Sequence, residues 1–326
     1  MKVINNKFLH GLNTLGPVLG LVGVYFLFVL IAPPSFSTLR NIDLIARHTA
    51  VVGTAALGMT LVIISGGIDL SVGSLVALGV VAVAWLLQEA GLGPIAAGLG
   101  GVAIGALFGW INGVLITKLR VVPFIVTLGM MLVVRGAAKG IAKEQKIDVD
   151  PDQLSWLSDF LAMLSPEQSW MLVPPGVWLM GILALLVAGM LRYTRFGRHI
   201  FAIGSNEDTA RLCGVAVDRV KIMIYTLIGA FAGLAGLMQF SRLTVGDPTT
   251  AMALELDVIA AVVIGGGSLS GGEGSVLGTL AGAFIMTVIS SGCEQMGLHN
   301  WVQQIVTGSI IVVAVALDRL RHRKTA

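Results

Sequence analysis

"LVIISGGIDLSVGSLVALG", residues Leu61–Gly79, joins two apolar runs through a glycine pair and a short polar stretch carrying one carboxylate. A charged Asp at mid-membrane costs roughly 2.5–3.5 kcal/mol on insertion scales. Non-helical backbone is tolerated at that depth only where it is buried in protein or lines a water-filled cavity. Asp69 and Ser71 are also of the types that cap helix N-termini by accepting free backbone N–H groups. The stretch therefore reads as a break between two helices, with Gly66 and Gly67 ending the first and Asp69 starting the second at Leu70.

The rest of the chain has the composition this requires. Of 326 residues, 56% are hydrophobic and 12% charged, about half the ~25% charge of a soluble domain. The mean hydropathy is +0.89. Apolar runs of about 17–25 residues recur, long enough to cross a hydrocarbon core of roughly 30 Å. The fold class expected is all-α: a polytopic membrane bundle, with residues 1–326 as a single transmembrane domain. The net charge of +3 does not point to nucleic acid, because the basic residues sit in loops and near the termini. Cys213 and Cys293 lie far apart without C-x-x-C spacing, so neither a disulfide framework nor a metal site is indicated. The first run ends in Ala32-Pro33-Pro34 with no small-x-small cleavage signature and reads as a retained span.

About ten apolar segments follow: Leu15–Ala32, Thr49–Ser65, Leu70–Leu87, Pro94–Thr117, Val121–Gly140, Met171–Leu191, Ile222–Ser241, Leu254–Gly265, Ser275–Gly292 and Trp301–Leu317. The eighth is too short to cross alone and reads as a half-helix, a tilted span or one extended by its flanks. Lys118 and Arg120, the basic residues from Arg192 to Lys221, and the tail from Arg319 to Lys324 all fall on one side. The Lys/Arg bias makes that side the cytoplasm, with both termini inside. Residues 141–170, rich in Asp and Glu, are then a periplasmic loop, and residues 192–221 a cytoplasmic one. Arg40 and Arg47, in an outside loop, are the exception.

"AVVIGGGSLSGGEGSVLGTLAG" (Ala261–Gly282) echoes the opening stretch, with Gly266 and Gly267 matching Gly66 and Gly67, and Ser275 matching Ser74 after a one-residue slip. Gly-interrupted segments at corresponding places in two halves point to a transporter's path. Ser268 and Ser270 lie in the second break. Glu255 and Asp257 open the short eighth segment, where a helix dipole favours negative charge and where the outer mouth of a path would lie. Gly101, Gly105, Gly109 and Gly113, like Gly274, Gly278 and Gly282, repeat every four residues and read as close helix packing. "GEGSVLG" is not a dinucleotide loop, since no strand precedes it.

The cytoplasmic loop is longer than a connector needs. Ser205 followed by Asp208 resembles a capping box, and "NEDTARLCG" reads as a short helix ended by Gly214, a docking surface outside the bilayer. No glycine is followed by lysine, so the chain has no P-loop to cradle ATP. Its five histidines lack metal-ligand spacing, and no nucleophile elbow occurs. Nothing in the chain reads as catalytic.

Three stretches together carry a family likeness: "GMTLVIISGGIDLSVGS" (Gly58–Ser74), "TRFGRHIFAIGSNEDTARLCGV" (Thr194–Val215) and "ELDVIAAVVIGGGSLSGGEGSVLGTLAGA" (Glu255–Ala283). In order and spacing the chain resembles the permease subunits of bacterial ABC importers for monosaccharides of the ribose, xylose and galactose type. The resemblance implies a homodimeric permease in the inner membrane, fed by a periplasmic sugar-binding protein and driven by a separate cytoplasmic ATPase that holds the ATP. Such permeases dock on the ATPase through an E-A-A-like stretch followed by Gly. Here Glu207-Asp208-Thr209 takes that place, which assigns docking to Asn206, Glu207, Asp208, Arg211 and Gly214. The physics of the residues alone leaves a second reading: a proton-coupled secondary transporter using Asp69, Glu255 or Asp257. An intramembrane enzyme is the weakest reading, for want of a nucleophile–base pair.

Overall fold

Each apolar segment folds as a helix in the computed structural model, which describes residues 2–163 and 170–323. In the first half these are α1 (Lys2–Ile31), α2 (Leu39–Ile64), α3 (Val72–Gln88), α4 (Pro94–Leu119) and α5 (Pro123–Ile141). Two one-turn helices, α6 (Pro151–Leu154) and α7 (Trp156–Asp159), precede α8 (Pro175–Tyr193). Then come α9 (Arg195–Ser205), α10 (Glu207–Leu212), α11 (Val217–Leu243), α12 (Leu254–Ile264), α13 (Val276–Gln295) and α14 (Asn300–Arg323). Pro94, Pro123 and Pro175 stand at the first helical position, where the missing N–H is no loss. The two short strands, β1 (Ile147–Asp148) and β2 (Val245–Gly246), pair antiparallel, with Ile147 opposite Gly246.

Among the described residues, six helices are long and apolar enough to cross a membrane: α2, α4, α5, α8, α11 and α13. The 17 residues of α3 and 11 of α12 reach only about 25 and 16 Å, less than a ~30 Å core. Both adjoin the glycine breaks, so the missing length is non-helical backbone. Helix α2 is the axis of the molecule: 94% of its apolar window is buried, against 22% for α5 and 28% for α8. It packs on α11, α13, α12 and α8. Exposed apolar side chains such as Leu107, Leu132 and Leu185 cover the outer helices. In water such a surface would associate; in lipid it is solvated.

The glycine rows are packing devices. A Cβ at Gly105 would strike the Gly229 carbonyl, and one at Gly113 would come within 2.8 Å of Ile222 Cα, so α4 and α11 touch backbone to backbone. The same holds at Gly282 against Ala261, between α13 and α12.

Several expected boundaries move. Helix α2 begins at Leu39, capped by Thr38, ten residues before the expected Thr49. Arg40 and Arg47 are therefore helical rather than in a loop, and Arg47 pairs with Asp43 one turn back at 3.0 Å. That pairing is how the chain keeps a polar helix end the apolar scan could not see. Residues 142–163 carry β1, α6 and α7, while Glu167 lies outside the described residues, as does Lys324 in the tail. The stretch 192–221 is almost wholly helical, in α9 and α10 with the adjoining ends of α8 and α11.

The ends of the bundle differ. One carries β1, β2, α6 and α7, with Lys146 paired to Asp247 at 3.1 Å. The other carries α9, α10 and both glycine breaks.

Candidate functional site

At the α9–α10 end the two glycine breaks leave their helices by the same cap. The Gly66 amide donates to Ile63 O and the Gly67 amide to Val62 O, both at 2.9 Å. The Gly266 amide donates to Val263 O (2.9 Å) and that of Gly267 to Val262 O (2.8 Å). This is the Schellman arrangement, and it demands a left-handed residue at its centre. Gly66 (φ +80°) and Gly266 (φ +90°) supply it. The two breaks then meet. The Gly272 amide donates to Ile64 O at 2.8 Å, and a Cβ at Gly271 would lie 3.0 Å from Gly66 Cα. Gly204, in the last turn of α9, completes the junction: a Cβ there would fall on Ile64 O. Ser268 is buried and hydrogen-bonds within its own loop to Glu273 O, Gly271 N and Ser270 N, whereas Ser270 is exposed.

Behind the first break lies a buried polar cluster. Asp69 Oδ1 accepts from the Ser71 amide (2.8 Å) and hydroxyl (2.6 Å), and Asn112 Nδ2 on α4 donates to Ser71 Oγ (2.9 Å). Thr127 on α5 accepts from the Leu70 amide at 3.1 Å. Tyr225 Oη on α11 stands beside Gly67, where a Cβ would approach it to 2.6 Å. Asp69 Oδ2, Asn112 Oδ1 and Tyr225 Oη are buried and have no protein partner among the described residues. The helix after the break starts at Val72, two residues after the expected Leu70, with Ser71 as its cap residue, so Asp69 closes the turn before the cap. Ser74 is inside α3, and the counterpart of the α13 cap Ser275 is Ser71. In sequence, a polar residue one turn into a helix, such as Ser74, looks the same as the cap at Ser71.

The segment expected to dock has its helix but a different cap. Ser205 is the last residue of α9, and Asn206 caps α10, its side chain accepting from the Thr209 amide at 2.8 Å. Gly214 (φ +87°) ends it. Glu207 binds Lys221 on α11 (2.6 Å) and Arg211 (3.3 Å), and Arg211 reaches Asp218 (3.2 Å). Asp208 and Leu212 project outward, Leu212 88% exposed.

The acidic pair of α12 is split. Residues two apart on a helix point about 200° from each other. Glu255 presses its carboxylate against Gly73 of α3. Beside it Arg135 clamps the loop before α12 by donating to the carbonyls of Pro248 (3.0 Å) and Thr250 (2.7 Å). Asp257 instead lines a cavity of ≈ 140 Å³ toward the strand-bearing end, together with His48, Gln239, Arg242, Thr287 and Ser290. Seventeen residues of α2 separate His48 from Ser65, about 25 Å, so cavity and glycine junction stand toward opposite ends of one axis. Among the described residues no group of three or more His, Cys, Asp or Glu is placed to hold a metal. The cavity's His48 comes from α2 and its Gln239 and Arg242 from α11, and no local motif in the sequence marks them. Asn112 had one visible signal, a lone amide inside a glycine-rich apolar run.

The site thus comprises a junction of two glycine-capped breaks, a central buried helix and a polar cavity. Residues 41–315 match the family model described as "Branched-chain amino acid transport system / permease component". The chain belongs to this permease family. It is 41% identical over 291 residues to the ribose import permease of Escherichia coli K12, covering 89% of this chain and 88% of that one. With the ribose import permease of Bacillus subtilis 168 the identity is 40% over 309 residues, 94% and 93% of the two chains. With the fructose import permease of Rhizobium meliloti it is 34% over 317 residues, 96% and 87%. The permease is thus an ABC-importer transport subunit rather than an enzyme, and a multi-pass protein of the inner membrane.

Proposed function

We propose that this permease imports a monosaccharide as a homodimer, receiving it from a periplasmic binding protein and drawing its power from a cytoplasmic ATPase docked at α9 and α10. The observation that carries this reading is the junction at which Gly204 of α9, Ile64 of α2 and Gly271-Gly272 meet backbone to backbone. A push on α10 reaches both glycine breaks through these contacts, with no flexible side chain between them. Sugar is favoured over the amino acid in the family description because relatives matched over most of their length carry ribose and fructose in their names.

In this reading the basic α9–α10 end faces the cytoplasm by the Lys/Arg bias, with about ten crossings and both termini inside. The path runs from the cavity, past Asp257, to the breaks holding Gly66, Gly67, Asp69, Ser71, Gly266, Gly267, Ser268 and Ser270. Asn206, Glu207, Asp208, Arg211 and Gly214 form the docking helix and its stops. The two breaks are equivalent parts of an internal repeat, which their common cap geometry supports.

The test is reconstitution with an ABC ATPase and a sugar-binding protein that associate with it, measuring uptake of D-ribose, D-fructose and L-arabinose into liposomes. ATP-dependent uptake of one of them is expected. Uptake driven by a pH gradient without ATP would establish the proton-coupled alternative instead.

A further inference from the structure

The cavity near the strand-bearing end is lined by two opposite charges that make no close pair. Arg242 and Asp257 line it, yet neither makes an ion pair within 4.0 Å or a hydrogen bond in the described structure. His48 and Ser290 likewise donate to and accept from no protein group there, while Gln239 and Thr287 are partly used, on Thr250 (3.1 Å) and Thr49 (2.6 Å). Arg242, on α11, lies in the fields of Arg47 on α2 and Glu294 on α13, and Asp257 in that of Glu255 on its own helix, α12. Between the polar groups Val51, Val52, Leu254 and Met286 offer apolar surface.

A fold gains nothing from two opposite charges lining one cavity without touching, since each carries a desolvation cost that pairing would offset. The arrangement makes sense for a ligand able both to accept from a guanidinium and to donate to a carboxylate without bringing net charge. Hydroxyl groups do both, and the C–H faces of a sugar ring meet apolar side chains. The size is consistent: ≈ 140 Å³ is well below the roughly 300–1,000 Å³ of drug-sized sites, suiting one ring rather than two. A branched-chain amino acid would satisfy Arg242 and Asp257 through its two charges but leave His48 and Ser290 facing a hydrocarbon side chain.

We infer that this cavity is a transit site for a single monosaccharide, in which Arg242 donates to and Asp257 accepts from the sugar's hydroxyls. The inference rests on the sugar-import reading above and adds to it a specific place and two residues that read the substrate. Solutes passing from the strand end meet it before the glycine junction about 25 Å further along α2.

The experiment uses the full permease–ATPase complex, without binding protein, so that sugar protection reports on this chain alone. Cys213 and Cys293 are replaced by Ser, and Ser290→Cys provides one thiol in the cavity. Labelling by a small hydrophilic thiol reagent is timed with D-ribose, D-fructose, L-arabinose or L-leucine. We expect the sugar that the reconstituted importer carries to slow labelling about tenfold or more at saturation, L-leucine to have no effect, and Asp257→Asn or Arg242→Gln to abolish the protection. In parallel, both substitutions in the otherwise native chain should raise the KM of uptake about tenfold, equivalent to about 1.4 kcal/mol, while changing kcat less. Protection by L-leucine in place of sugar overturns the inference, as does unchanged labelling in a complex that imports sugar, or an unchanged KM in both variants. A complex that imports no monosaccharide at all removes the functional reading on which it stands.

Discussion

Asp69 is the residue where two ideas of this molecule part. A proton carrier must titrate, whereas a turn-closing carboxylate needs only one oxygen that accepts. Asp69 Oδ1 accepts twice from Ser71, and the same oxygen exists in asparagine. Asp69→Asn should therefore import sugar much as the parent does, since Asn and Asp are comparable caps. Asp69→Ala leaves a buried amide and hydroxyl without their acceptor, a cost of about 1–3 kcal/mol, and should lower both thermal stability in detergent and uptake. An Asn variant that is dead at every external pH while well folded would restore the proton-coupled view. The carboxylate itself was legible in the sequence as a helix starter. Its partners Asn112, Thr127 and Tyr225 were not, because they come from α4, α5 and α11 and meet only after those helices pack.

Among the helices, α9 and α10 concentrate the consequences. Gly204 has no room for a methyl group, since a Cβ would coincide with the Ile64 carbonyl. Gly204→Ala is expected to force α9 away from the breaks at about 1–3 kcal/mol, the usual range for overpacking. It should uncouple ATP hydrolysis from uptake while the exposed Cys213 keeps its labelling rate. Full coupling in this variant would show that the junction transmits nothing. Glu207 offers a sharper distinction. Its bonds to Lys221 and Arg211 are partly exposed, each worth roughly 0.2–1 kcal/mol, so their role is to orient α10 on α11 rather than to hold the fold. Glu207→Lys should depress uptake, and adding Lys221→Glu should restore it by reversing the pair. Failure of the double swap, with the helix intact, would mean that Glu207 itself touches the ATPase. The existence of this helix and its Gly214 stop were readable from residue types alone. Its cap is less legible: Ser205, one residue earlier, is as good a cap type as Asn206, and only backbone conformation separates them.

Across the whole molecule, β1 and β2 tie residues almost a hundred positions apart. Lys146 and Asp247 stand at that tie. Burial pushes the Asp247 carboxyl up, but bonds from the Thr249 hydroxyl and amide and from Lys146 outweigh it and hold the group below its ordinary range. The sign follows from that depression: the tie contributes in full above the unfolded value of about 3.9 and is lost as pH falls through the lower folded one. Hydrogen exchange of the β1 amides should be flat from neutral pH to about 5 and accelerate beyond its intrinsic trend only below about 4, and Asp247→Asn should remove that step. Acceleration already near pH 6 would place its origin in another group.

Composition and apolar run length by themselves determined that this chain is a helical membrane protein, because burial in lipid is decided by the number of consecutive apolar residues and needs no partner. Residue types likewise determined where helices break: Gly66, Gly266 and Gly214 stand at caps whose positive φ any other residue would resist. Tertiary structure alone decided which break touches which, that Glu255 and Asp257 serve different places, and that His48, Arg242 and Asp257 share a cavity. Those facts depend on helix rotation and crossing, set by contacts such as Gly105 on Gly229 between segments more than a hundred residues apart. No local pattern of one segment encodes where another will press against it.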